Sequence, residues 1–244
     1  TTFIALAALL AGTTVSAQDN KPGYQFTDVA KVKVTPVKNQ ASTGTCWCFA
    51  TNSFIESELI RMGKGEHDLS EMFIVRNNYL TRIADNYIRE GKGNVNPGSL
   101  AHMYINEMAK NGLLPDEVYD GINYDSPTHN HNDLSAWVKT LSNQSVEMKK
   151  RIPQPMLDGL LDAYLGEVPE KFTYKGKEYT AKSFYQSLGL KASDYVEITS
   201  FTHHPFYQLV PVEVPDNWDH ALMYNVPLDE MMQIFDYAIE NGYT

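Results

Sequence analysis

The 244 residues, 43% hydrophobic and 11% aromatic, are enough for one large or two small packed domains. A formal net charge of -10 and a pI near 5.1 argue against nucleic acid or an anionic membrane surface as a partner. The two cysteines, Cys46 and Cys48, lie too close on one segment to bridge well, so there is no disulfide framework and stability must come from packing.

Residues 1–12 form an apolar run too short to span a bilayer comfortably, followed by Val15-Ser16-Ala17, a small-x-small cleavage pattern. The pattern predicts a secretory signal peptide over 1–17 and hence an exported protein, periplasmic or secreted, with no membrane span once the signal is removed. With no initiator Met and no basic leader, the N-terminus reads as clipped. A polar lead-in follows, with a short strand expected at 32–34. The polar turn at 36–45 then runs into Cys46, after which Trp47, Ala50, Phe54, Ile55, Leu59 and Met62 fall near one face at helical spacing. Thr43 or Thr45 is positioned to cap this helix, and Gly63 and Gly65 to end it. Cys46 therefore stands in the first turn, where free backbone N–H groups and the helix dipole stabilise a thiolate, the nucleophilic form of the residue. Cys48, two residues on, points to the opposite side and into the core. Gln40, six residues upstream, lies on the loop from which its side-chain amide can fold back beside the sulfur. There it and the backbone N–H of Cys46 would meet an oxyanion formed by attack on a carbonyl.

Further along, Ser70 caps a second helix with Met72, Phe73, Leu80, Ile83, Tyr87 and Ile88 as its apolar side, stopping at Gly91. A loop rich in Gly and Asn covers 91–99, and Ser99 is expected to cap a third helix that ends at Gly112. The character changes from residue 126. Helices are expected at 133–151, 156–165 and 181–188, with a hairpin around Gly176. Strands are expected at 195–199 and 209–214, and a last helix at 228–240.

The stretch from Pro36 to Phe49, with Gln40, Gly44, Cys46, Trp47 and Phe49 in register, resembles the nucleophile region of the papain-like cysteine peptidases. Secreted papains usually carry a disulfide cysteine three residues before the nucleophile, where this chain has Thr43. That departure, together with the segments around His203-His204-Pro205 and Asn225-Val226-Pro227, resembles the bleomycin hydrolase/aminopeptidase C branch. The resemblance implies an α+β, papain-like fold. Residues 18–125 would form the helical domain carrying the nucleophile, 126–194 a mainly helical insertion serving as scaffold or assembly surface, and 195–244 the start of an incomplete β-rich domain. It also implies peptide substrates, hydrolysed with Cys46 as nucleophile and Gln40 at the oxyanion, no cofactor, and a homo-oligomer, often a hexamer in that branch. In papain relatives a Gly-rich loop runs along the cleft and pairs with extended substrate, which makes Gly98 the candidate substrate-binding glycine. A plain turn glycine before a helix cap is the competing account.

Such an enzyme needs an imidazole beside the thiol, oriented by an Asn. His203 and His204 precede Pro205, a poor setting for a sheet strand, and read as structural. Asp219-His220-Ala221-Leu222 superficially resembles the family's histidine strand, but no Asn-Ser-Trp-like segment follows. The catalytic His and Asn are therefore expected beyond Thr244, and residues 1–244 alone are expected to be nearly inactive. A catalytically inactive papain-like binding module and a papain-like endopeptidase stand as the alternatives. His129 and His131, two apart in a loop without a third ligand at a known spacing, are a weak metal signal, and no metal site is assigned.

Overall fold

In the computed structural model, Tyr24 and residues 26–244 are described, so the signal segment expected at 1–17 lies outside the described residues. Helix α1 (Cys46–Arg61) buries Trp47, Cys48, Thr51, Ile55 and Leu59, positions whose three- and four-residue steps keep one face inward. Helix α2 (Glu71–Ile88) starts as expected, the Phe73 N–H donating to Ser70 Oγ at 3.1 Å. Helix α3 (Ala101–Asn111) ends at Gly112, whose φ of 89° suits glycine at a helix end. Its start departs from expectation. Leu100 is the N-cap instead of Ser99, because Ser99 Oγ is taken by the indole N–H of Trp218 at 3.1 Å. The strand expected at 32–34 does not form either. Val34 is exposed with no strand beside it, and Lys38 rather than a ladder holds this lead-in.

Helices α4 (Asn132–Glu147) and α5 (Gln154–Leu165) follow, then the antiparallel hairpin β1 (Phe172–Tyr174) and β2 (Lys177–Tyr179). Its turn residues, Lys175 and Gly176, both have positive φ (48° and 78°), the conformation that matches the twist of tight hairpins. Helix α6 (Ala181–Leu188) opens with a capping box between Thr180 and Ser183. One buried apolar cluster runs across residue 125, joining Ile55, Tyr79 and Met108 to Leu134, Val138, Leu161 and Phe184. The segment read as an insertion thus shares its core with the helices before it. Arg76, nearly buried, adds an ion pair to Asp162 at 2.7 Å that ties α2 to α5.

The β-rich part is smaller than the sequence suggests. Strands β3 (Ile198–Thr199), β4 (Gln208–Pro211) and β5 (Leu222–Asn225) form a sheet in the order β3-β5-β4, parallel between β3 and β5 and antiparallel between β4 and β5. The stretch expected to pair from 195 begins only at 198, because Tyr195 turns its ring onto Phe54 at 5.8 Å. Pro211, which lacks an N–H, ends β4 before the expected 214. The central strand β5 was not anticipated. Helix α7 (Leu228–Glu240) has no buried residue, and Met232, Phe235 and Ile239 stand exposed on it. No helix of the described residues is long and apolar enough to cross a membrane.

Candidate functional site

The loop from Asn39 to Thr45 has two residues of positive φ before α1 begins. Ala41, with φ 47°, is held by its N–H donating to Asn39 Oδ1 at 2.9 Å. Gly44 has φ 67°, and a Cβ there would lie 2.9 Å from Pro97 Cγ, so both backbone angle and space call for glycine. The hydroxyl of Thr43 donates to the carbonyl of Gln40 at 3.0 Å and shares a 2.6 Å hydrogen bond with Thr45 Oγ1. The threonines weighed as caps are thus spent on the loop, and Thr45, the N-cap, makes no side-chain capping bond. Their effect is to hold Gln40 two hydrogen bonds from the N-cap residue that precedes Cys46.

Cys46 is exposed, while Trp47 and Cys48 beside it are buried. Cys48 is the core cysteine: its thiol donates to the carbonyl of Glu71 at 3.4 Å, and burial pushes its pKa well up, so it stays protonated. The indole N–H of Trp47 donates to the carbonyl of Pro97 at 2.9 Å, which fastens the start of α1 to the Gly-rich loop. The side-chain oxygen of Gln40 is buried without a hydrogen-bond partner, and among the described residues its amide nitrogen is not bonded to protein either. Lying in the first turn, the Cys46 N–H has no partner within its helix. Chemically, an exposed sulfur at a helix start, beside its own uncommitted backbone N–H, can attack a carbonyl and support the charge that develops on its oxygen.

Lys38 anchors this loop from below. Its ammonium meets Asp68 at 2.6 Å, Glu56 at 2.7 Å and Glu71 at 3.0 Å, and donates to the carbonyl of Leu69 at 3.3 Å. Glu56 is fully buried and also accepts from Thr35 Oγ1 at 2.6 Å and from the Leu69 N–H at 2.8 Å. Burial alone would lower the pKa of Lys38, but Glu71, Asp68 and Glu56 outweigh it and hold the ammonium charged.

Gly98 lies on the loop that Trp47 grips. A Cβ there would come within 2.6 Å of Asp216 Oδ1, so a larger residue would have to displace the exposed Asp216 carboxylate, a side chain of this protein. Its carbonyl accepts from the buried guanidinium of Arg82, which also donates to the carbonyl of Asn94 at 2.8 Å and lies 4.6 Å from the Trp218 ring centre. Among the described residues the Gly98 N–H has no partner.

No histidine hydrogen-bonds Cys46 among the described residues. His102, which sequence reasoning did not single out, has the most developed setting. Its ring lies between Glu197 (Nδ1, 2.8 Å) and Asp219 (Nε2, 2.9 Å). Burial disfavours its cation, yet the bonds to Asp219 and Glu197 prevail and raise its pKa to about 9. With both nitrogens donating, it has no lone pair for a substrate proton, and its role is structural. His220 sits with φ 57° in the turn before β5, off any strand. His129 and His131 line the back of the nucleophile loop. The Ser42 N–H donates to the His129 carbonyl at 3.2 Å, and the His131 N–H to the Ser42 carbonyl at 3.0 Å. His131 is buried against the Tyr79 hydroxyl at 3.2 Å, and burial, reinforced by His129, lowers its pKa to about 4. Among the described residues, the group that could hold a metal ion is His203, His204 and Glu213.

Residues 24–152 match the family model described as papain family cysteine protease. The chain is 29% identical over 161 residues to cysteine proteinase 1 of Entamoeba histolytica, covering 62% of this chain and 46% of that protein. It is 28% identical over 134 residues to mitochondrial cysteine proteinase 1 of Saccharomyces cerevisiae, covering 48% of this chain and 27% of that one. The chain thus spans less than half the length of these curated relatives. Among solved structures, PepW from Lactobacillus rhamnosis superposes with a TM-score of 0.65 at 18% identity, over 89% of this chain and 59% of that one, a likeness of fold.

Proposed function

The chain belongs to the papain family of cysteine proteases, and from that premise we propose that it is the nucleophile-bearing part of a peptidase of the bleomycin hydrolase/aminopeptidase C type. Cys46 attacks the scissile carbonyl as a thiolate. The Gln40 amide and the Cys46 N–H receive the oxyanion, and the Gly98 N–H pairs with the extended peptide. The observation that carries this reading is the exposed Cys46 at the first position of α1, with the Gln40 loop tied back to its N-cap by Thr43. An imidazole completes the chemistry by taking the thiol proton and returning it to the leaving amine. In the absence of a bond between Cys46 and any described histidine, that group is expected from elsewhere in the complete protein. The missing cysteine at position 43 supports the bleomycin hydrolase branch, and with it an N-terminal trimming specificity and a homo-oligomer. The signal-like residues 1–17 support export.

The test is turnover of an aminoacyl fluorogenic substrate by the complete protein, with and without a thiol alkylator. Cys46→Ala is expected to abolish turnover while leaving thermal unfolding unchanged, because the side chain is exposed. Turnover that survives this substitution removes Cys46 as the nucleophile. Preference for free over acetylated amino termini separates the aminopeptidase from an endopeptidase. Failure of the unmodified complete protein to hydrolyse either substrate leaves the binding module as the reading.

A further inference from the structure

His203 and His204 fall in the turn between β3 and β4, and Glu213 follows β4 by two residues. Nothing in their spacing marks a site, yet the fold points all three at one spot. His204 Nε2 lies 3.1 Å from the Glu213 carboxylate and His203 Nε2 lies 3.6 Å from it. The two imidazole rings are 4.2 Å apart between centres, and one ligand atom from each of the three residues falls within 4.8 Å of the others. Nitrogen and oxygen ligands at about 2.0–2.1 Å from a tetrahedral ion are themselves separated by roughly 3.3 Å. The two distances to the Glu213 carboxylate, 3.1 and 3.6 Å, bracket that value.

The backbone behind the cluster is rigidly held. Asn225, fully buried on β5, donates its amide to the carbonyls of Phe201 (3.0 Å), Pro205 (3.1 Å) and His204 (3.3 Å). Its side-chain oxygen accepts from the Phe201 N–H at 2.8 Å, and its carbonyl accepts from the Tyr207 N–H at 2.7 Å. One residue thus fixes the 201–207 turn against β5, the strand paired with β4, and Glu213 lies two residues beyond the end of β4. A shared dication uses a lone pair from each of the three groups.

We infer that His203, His204 and Glu213 form a three-ligand site for a divalent first-row transition ion of the zinc class, with a remaining position open to water. Two imidazoles and a carboxylate suit zinc, copper or nickel over magnesium or calcium, which favour all-oxygen shells. The ion clips the 201–207 turn to the segment after β4. The inference is independent of peptide hydrolysis.

The experiment is calorimetric titration of the complete protein with zinc chloride, in a Cys46→Ala background so that the thiol does not compete. The expected result is one equivalent bound at this site, with affinity weakened at least about tenfold in His204→Ala and again in Glu213→Gln. All three side chains lie in turns or at a strand end, and circular dichroism verifies that the variants fold. Cobalt loaded in place of zinc should give visible absorption bands that these substitutions abolish. The inference is overturned if the His203→Ala/His204→Ala double variant binds zinc as tightly as its parent, or if Glu213→Gln leaves the affinity unchanged.

Discussion

Lys38 illustrates how a side chain two residues from the proposed oxyanion donor governs the loop without touching it. Its ammonium is the cation facing Glu56 and Glu71, both nearly or fully buried, and it ties residues 35–38 to α1 and to the start of α2. Removing one partner of a buried ionic cluster leaves uncompensated charge, a loss of about 3–5 kcal/mol. Lys38→Met is therefore expected to lower the urea midpoint by a corresponding amount and to disturb the Gln40 loop. A change within about 0.5 kcal/mol would show the cluster to be solvated and the loop to be held by other contacts. At this scale legibility in the sequence was uneven. Cys46 and Cys48 could be assigned opposite roles because two residues on a helix decide their directions. Lys38 could not be read, since its partners stand at positions 56, 68 and 71 and no local pattern brings them together.

At the scale of elements, the helices with local signals were readable. Ser70 and Gly112 mark helix ends through a hydrogen bond and a backbone angle that neighbouring residues decide. Strands β3 and β4 overlap ones expected from the sequence, but the central strand was not readable, because Leu222–Asn225 is only four residues long and is defined by partners at 198–199 and 208–211. The Asp216 carboxylate against Gly98 escaped for the same reason, lying 118 positions away in the sequence. What joins α3 to this part of the chain is His102, whose cation bridges Glu197 on the approach to β3 and Asp219 in the turn before β5. Its folded pKa of about 9 exceeds the usual 6.5, so the native state holds the proton more tightly. The contribution is fully present below pH 6.5 and is lost as pH rises through about 9. Allowing for solvent around the partly exposed carboxylates, it is worth about 2 kcal/mol. The unfolding free energy of the wild type should exceed that of His102→Gln at pH 6 and converge on it near pH 10. A constant difference across that range would show that hydrogen bonding without charge holds the junction.

At the scale of the whole molecule, His131 titrates in the opposite sense. It is buried as a neutral ring behind the nucleophile loop, with its folded pKa near 4. Below pH 6.5 the unfolded chain takes up a proton that the native state refuses. Stability present above 6.5 is therefore lost as pH falls towards 4, by about 3 kcal/mol in all. Together the two histidines favour a molecule most stable near pH 6.5, with His102 charged and His131 neutral. The raw stability curve hides the acid limb, because Asp116, raised to about 6 by burial beside Asp68 and Glu71, pulls the other way. A buried carboxyl that keeps its proton in the native state gains stability on acidification over that interval. The diagnostic quantity is the difference between wild type and His131→Gln, in which Asp116 cancels and a hydrogen-bonding group still faces Tyr79. Measured by urea unfolding between about pH 7 and pH 4, that difference should move by about 3 kcal/mol in favour of the variant. Parallel curves for the two proteins would mean that His131 accepts its proton without leaving the core, and the acid limb would then have to originate in another buried group.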